Sequence, residues 1–186
     1  MGRMSLVTGG IRSGKSRFAL ELAFGASAPA GRYFIATAEA LDSEMRRRIE
    51  RHQGERGAGF ETVEEPLFLG RAIAKLSSEE TVILVDCLTL WVNNLLFRFG
   101  TQPEKVEAEM ESLLESVSSN PARLIFVTNE VGLGIMADNP LAREFADRLG
   151  MINQKIAGQS GDVILMTAGI AQYLKREGVG CAGLAS

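Results

Sequence analysis

Residues 9–16 read G-G-I-R-S-G-K-S, and Gly9, Gly14, Lys15 and Ser16 fill every fixed position of the pattern G-x-x-x-x-G-K-[ST]. This spacing suits the holding of phosphate. Glycine lets successive backbone N–H groups turn inward at dihedrals that other residues avoid, which makes an anion-binding concavity at the N-terminus of the following helix. Gly9, Gly10, Ile11, Arg12, Ser13 and Gly14 would line that cradle with their backbone. Lys15 would reach the β- and γ-phosphates, and Ser16 would offer its hydroxyl to Mg²⁺, a cation that takes hard oxygen ligands and keeps several waters. The competing explanation, a chance glycine-rich turn, does not account for an apolar run before the loop (MSLVT) and helically spaced apolar residues after it (KSRFALELAF).

Two further residue types could act beside a triphosphate. The run TVILVD ends in Asp86, and an acid at the tip of a buried strand is what such a loop needs to hold Mg²⁺ or its water shell; the alternative is an N-cap for the helix starting near Leu88. The single histidine, His52, lies in DSEMRRRIERHQGER, where Met45, Ile49 and His52 share one helix face at i, i+4 and i+7. Arg46, Arg47, Arg48, Arg51 and Arg56 surround it, and their charge favours the neutral, nucleophilic imidazole while offering contacts to an anionic phosphate. From the residues alone, a single histidine on a partly apolar face is more often a satisfied structural residue than a nucleophile, and such a basic run is often a solvated face. Thr37, Asn129 with Glu130, and Thr167 are polar positions at strand ends, either ligand contacts or turn formers and caps. Trp91, Phe97 and Phe99 have helical spacing and suit core or subunit contact.

Five nearly continuous apolar runs must position these groups: Met4–Thr8, Tyr33–Thr37, Thr81–Val85, Arg123–Thr128 and Asp162–Thr167. Helical patterns fall at 16–25, 42–53, 66–76, 88–98, 104–118 and 139–158, with Asn139 and Pro140 suited to N-cap and first helical position. Alternating strands and helices predict βαβ units around a mainly parallel sheet, with the strands' C-terminal ends and the phosphate loop on one edge. The expected fold is therefore α/β, a P-loop NTPase-like (RecA-like) three-layer sandwich. A single nucleotide-binding domain over 1–175 is expected, followed by a loosely held tail over 176–186.

Composition narrows the function. With 186 residues, 46% hydrophobic and 23% charged, the chain suits one soluble globular domain, and no apolar run is long enough to span a bilayer. The first strand begins almost at once, leaving no room for a signal peptide, so a cytoplasmic location is expected. Cys87 and Cys181 are expected to be plain thiols. A net charge of −3 gives no reason to expect nucleic-acid binding.

Taken in order, LVTGGIRSGKSRFAL (6–20), YFIATAEALDSEMRRRIERH (33–52), TVEEP (62–66), ILVDCLTLWVNNLL (83–96), VTNEVGLGIMADNPLAREFADRLGMINQKIA (127–157) and a late AG resemble the bifunctional adenosylcobinamide kinase/adenosylcobinamide-phosphate guanylyltransferase family of cobalamin biosynthesis. The resemblance implies two reactions using ATP and GTP: phosphorylation of the aminopropanol hydroxyl of adenosylcobinamide, then transfer of GMP from GTP to adenosylcobinamide phosphate. It implies a guanylyl-histidine intermediate, for which His52 is the sole candidate, and nucleotide contacts from Ala36, Thr37, Ala38, the stretch after His52 that contains Arg56, Glu64 and Asp86. A homo-oligomer, a trimer, is implied as well. Family members usually read H-x-x-x-R-P-x-x-W after the histidine, whereas this chain has HQGERGAGF. Phe60 keeps a ring without the indole donor, and Gly57 loosens the loop. Two other readings compete: a P-loop small-molecule kinase without covalent guanylylation, and a nucleotide-dependent switch or ATPase. A Ras-like switch is disfavoured, because no N-K-x-D motif is present.

Overall fold

The computed structural model describes residues 4–28, 30–39, 59–118, 120–134 and 138–177. Seven strands form one sheet: β1 (Met4–Gly9), β2 (Gly31–Ala36), β3 (Glu61–Glu64), β4 (Thr81–Asp86), β5 (Arg123–Val127), β6 (Asp162–Thr167) and β7 (Ile170–Lys175), in spatial order β3-β2-β4-β5-β1-β6-β7. The first six pair in parallel and β7 runs antiparallel to β6. The described helices are α1 (Lys15–Phe24), α2 (Leu69–Leu76), α3 (Leu88–Phe99), α4 (Pro103–Ser118) and α5 (Pro140–Gln159).

The apolar strands supply both faces of the sheet. Side chains alternate across a strand, so Leu6, Ile35, Ile83, Val85, Leu124 and Phe126 join one core with α2, α3, α4 and α5. Val7, Phe34, Val82, Leu84, Ile125 and Val127 join a second core with α1. This is the expected three-layer arrangement. Each fully buried Leu, Ile or Phe is worth about 1.5–3 kcal/mol over exposure, so packing fixes these elements more than helix propensity does. Helix α1 approaches closely because its inward residues Lys15, Ala19 and Ala23 recur every fourth position and two are alanines. Trp91 sits in the first core and donates its indole N–H to Leu67 O at 2.8 Å, whereas Phe97 is exposed and Phe99 packs partly buried.

Two strands lie outside the expected set. β3 is short and mostly exposed, and its sequence ETVE has no apolar run to announce it. β7, IAQYLK, is an exposed edge strand of mixed polarity. β2 starts two residues early, at Gly31, and stops at Ala36, which leaves Thr37 just past the strand. Helix α2 starts at Leu69 instead of 66, because Pro66 precedes it and the N–H groups of Leu67 and Phe68 are taken by Glu65 Oε1 at 3.1 and 2.8 Å. Asn139 caps α5 as expected, accepting from Leu141 N–H at 2.8 Å, with Pro140 as the first helical residue. The helix expected over 42–53 lies outside the described residues. Among the described residues no helix is long and apolar enough to cross a membrane.

Candidate active site

The loop between β1 and α1 is held by backbone contacts on two sides. Gly9 has φ 143°, and a Cβ there would stand 2.3 Å from Met166 O on β6, so glycine is required both by conformation and by space. Gly14, at φ 94°, caps α1 and packs against Gly169. Arg12 also adopts a positive φ, 56°. Ser13 N–H donates to Gly10 O at 3.4 Å, and Ser13 O accepts from Gly169 N–H at 3.0 Å. Gly169 belongs to the two-residue turn joining β6 to β7, where Ala168 (φ 51°) and Gly169 (φ 83°) both have the positive φ of a type I′ hairpin. α1 has no side-chain cap and no acidic residue in its first turn, which suits its N-terminal N–H groups to an anion.

Lys15 folds back across this loop. Its Nζ donates to Gly10 O and, at 3.5 Å, to Ser13 Oγ. Burial lowers its pKa, and electrostatic interaction with Cys87 and with Asp86 opposes that shift. Burial also pushes the Cys87 thiol up to about 12, with Asp86 adding to the shift, so the thiol is neutral at physiological pH and Asp86 is the charge that acts on Lys15. Cys87 is thus the plain buried thiol expected, while Cys181 lies outside the described residues.

The remaining expected contacts lie along the same edge. Sheet register aligns Glu64 with Ala36, Ala36 with Asp86, Asp86 with Val127 and Val127 with Val7, a row that runs straight to the start of the loop. Neighbouring strands are about 4.8 Å apart, so Asp86, two strands from β1, is about 10 Å along that row. Helix α3 takes its N-cap from Cys87, whose Sγ accepts from Leu90 N–H, and the cap role considered for Asp86 is filled one residue later. The Asp86–Cys87 peptide is cis.

Thr37 is fully buried, its hydroxyl donating to Cys87 O and accepting from Cys87 N–H, both at 2.8 Å. Its side chain therefore ties β2 to β4, its backbone N–H donates to Asp86 O at 3.3 Å, and the half-buried Ala38 follows at the edge. Asn94 completes the tie, giving its amide to Thr37 O (2.7 Å) and Pro66 O (3.2 Å). Sequence reasoning missed Asn94, because its partners are 57 and 28 residues away and no local spacing encodes them.

Of the other polar strand ends, Glu130 Oε1 accepts from Thr8 Oγ1 at 2.7 Å, and Asn129 is fixed by its backbone to Thr89 Oγ1 and Asn153 Nδ2. Thr167 is exposed beside the β6–β7 turn. Phe60 stacks edge-on against Phe24 and Phe34, with ring centroids 5.1 and 6.2 Å apart. Beside it, a Cβ on Gly59 would meet the Phe24 ring at 2.5 Å. His52, Arg56 and Gly57 lie outside the described residues.

The donor set suits Mg²⁺. Among the described residues no cluster of three or more His, Cys, Asp or Glu forms a dedicated metal cage. Ser16 at the head of α1 and Asp86 at the tip of β4 instead offer one hydroxyl and one carboxylate, as expected for an ion that fills its sphere with phosphate oxygens and water.

Comparison with known proteins decides the family. The sequence profile described as "Cobinamide kinase / cobinamide phosphate guanyltransferase" matches residues 5–174. The chain belongs to the cobinamide kinase / cobinamide phosphate guanyltransferase family. As a member, it is a bifunctional enzyme of cobalamin biosynthesis, a kinase and a nucleotidyltransferase. It is 42% identical over 172 residues to the bifunctional adenosylcobalamin biosynthesis protein CobP of Pseudomonas aeruginosa, spanning 92% of this chain and 97% of that protein. It is 39% identical over 183 residues to the bifunctional adenosylcobalamin biosynthesis protein CobU of Escherichia coli, spanning 92% and 99%. The Salmonella typhimurium CobU gives the same figures. In fold, the family member superposes on the flagellar accessory protein FlaH of Methanocaldococcus jannaschii with a TM-score of 0.51 at 13% identity, over 95% of this chain and 79% of that one. That likeness and the strand order bear out the RecA-like α/β fold.

Proposed function

We propose that this enzyme phosphorylates the aminopropanol hydroxyl of adenosylcobinamide and then guanylylates the product through a covalent GMP adduct on His52, giving adenosylcobinamide-GDP. The observation that carries the reading is the row Glu64–Ala36–Asp86 ending at the Gly9–Ser16 loop, in a chain of this family. A triphosphate in the loop would accept hydrogen bonds from the α1 N-terminus and Lys15, with its nucleoside lying along that row.

In the first reaction the substrate hydroxyl oxygen attacks the γ-phosphorus, and the nucleoside diphosphate leaves with the bonding electrons. In the second, a neutral His52 nitrogen attacks the α-phosphorus of GTP in line and pyrophosphate departs; a phosphate oxygen of adenosylcobinamide phosphate then displaces the imidazole from GMP. Lys15 and the loop amides spread the charge that develops on the transferring group, the main service a protein renders phosphoryl transfer. Lys15 is suited to this because its neighbour Asp86 helps hold it charged against its burial. Bound Mg²⁺ would supply further charge neutralisation, held by Ser16 and Asp86.

Ala36, Thr37, Ala38, Arg56 and Glu64 are the proposed nucleoside and phosphate contacts. We take residues 1–175 as one working domain, acting in the cytoplasm as a homo-oligomer, a trimer. The experiment is direct: incubate the enzyme with GTP labelled at the α-phosphate and look for acid-labile, protein-bound GMP, then add adenosylcobinamide phosphate and look for its discharge. Labelling equal in wild type and His52→Ala rules out the covalent route and leaves a plain kinase. Hydrolysis stimulated by DNA or another protein, without cobinamide phosphorylation, rules out both.

A further inference from the structure

We infer that Glu130 is the general base of the phosphoryl-transfer step, taking the proton from the substrate hydroxyl; the inference rests on the two-reaction reading above. The two reactions differ in their need for a base. A hydroxyl must lose its proton as it attacks phosphorus, whereas a neutral imidazole and an anionic phosphate attack with free lone pairs. One carboxylate dedicated to the first reaction should therefore stand beside the loop, where the γ-phosphate is held.

Several carboxylates of this edge are accounted for otherwise. Glu65 is occupied by the N–H groups of Leu67 and Phe68, Asp86 acts electrostatically on Lys15, and Glu64 lies at the far end of the row. Glu130 follows β5, the strand between those of Asp86 and the loop, and two contacts fix it to the root of the loop. Its N–H donates to Gly9 O at 3.4 Å, and its Oε1 accepts from Thr8 Oγ1 at 2.7 Å. Thr8 is only 3% exposed, so water competes little for that bond. With Oε1 engaged, Oε2 has no hydrogen-bond partner among the described residues, and Glu130 is itself only half-buried, so a substrate can reach it. Thr8 is the positioning residue and Glu130 the proton acceptor. In the step, the substrate O–H bond breaks toward Oε2 as its oxygen bonds to the γ-phosphorus, and the bond from the γ-phosphorus to the β-phosphate bridging oxygen breaks with its electrons.

The test compares wild type, Glu130→Gln, Glu130→Ala and Thr8→Val in two assays: phosphate transfer to adenosylcobinamide, and GMP transfer to pre-made adenosylcobinamide phosphate. Glutamine still accepts the Thr8 hydrogen bond but takes no proton. The expected result is a fall of about 10²–10⁴-fold in kinase kcat for both Glu130 variants, with the ratio of kinase to guanylyltransferase activity falling by a similar factor. Thr8→Val should lower kinase kcat by about 5-fold, the worth of one hydrogen bond. Near-normal kinase activity in Glu130→Gln with loss in Glu130→Ala shows a structural tie and overturns the inference. So does an equal fall in both assays, or recovery of Glu130→Gln at raised Mg²⁺, which marks a ligand of metal-bound water. A wild type that transfers no phosphate to adenosylcobinamide overturns the two-reaction reading and this inference with it, whereas an active wild type matched by Glu130→Gln overturns this inference alone.

Discussion

The two ends of the sheet's C-terminal edge are built differently. At the loop end, backbone meets backbone: Gly9 against Met166 O, Ser13 O with Gly169 N–H, and Gly9 O with Glu130 N–H. At the other end, side chains reach across long sequence distances, with Thr37 on Cys87, Asn94 on Thr37 and Pro66, and Trp91 on Leu67. A phosphate group needs only a cluster of N–H donors, which any sequence permitting the dihedrals supplies. Positioning a nucleoside needs particular atoms at particular places, and side-chain ties provide that at the cost of being intolerant to substitution. The difference predicts that damage to the phosphate loop itself abolishes both reactions, whereas damage at the other end alters which nucleotide is used.

The largest effect should come from Lys15→Ala. Removing one charge-stabilising group from a phosphoryl-transfer site typically costs about 10²–10³-fold in kcat, and both reactions should fall by at least that while thermal unfolding changes little. A loss confined to one reaction would show that the two reactions do not share the loop and would break the comparison. Gly9→Ala should come next, acting on stability. A non-glycine residue at φ 143° costs about 1–3 kcal/mol, and the overlap with Met166 O adds to it. Calorimetry should show a clearly lowered Tm together with weakened ATP binding.

Asn94→Ala tests the other end. It leaves Thr37 O and Pro66 O without the amide that now serves them, at about 1–3 kcal/mol of stability. With the Asn94 tie between Thr37 O and Pro66 O lost and the β2–β3 pairing left to join the two segments, KM for GTP in guanylyl transfer should rise more than KM for ATP in the kinase reaction. Equal rises would show that this edge does not discriminate between bases.

These contrasts also explain what the sequence revealed. The loop and the five buried strands were legible because both are local: a spacing of eight residues, and runs of apolar residues covered on both faces. β3 and β7 were not, since ETVE and IAQYLK lie at exposed edges and carry no burial signal. Yet β7 closes the turn that braces the loop, so an element essential to the site was silent in the pattern. Ala36 and Glu64 entered only through family resemblance, and register then aligned them with Asp86. Asn94, whose partners are remote in sequence, had no local signal, and the resemblance covered its segment without giving it a role.

The smallest expected effect would sharpen the contrast most. Ala168 holds φ 51° at the first turn position between β6 and β7, where asparagine is preferred because its short polar side chain tolerates the left-handed region. Ala168 is exposed, so a substitution there meets no packed neighbour. Ala168→Asn should therefore stabilise the chain by a few tenths of a kcal/mol to about 1 kcal/mol, seen as a rise in Tm of about 1–4 °C. The turn touches the loop through the Gly169 N–H, which the substitution leaves in place, so neither kcat should change by more than about 2-fold. If kinase activity instead shifts strongly with this one solvent-facing change, the turn would be a moving part of the site, and the rigid backbone bracing ascribed to the loop end would have to be abandoned.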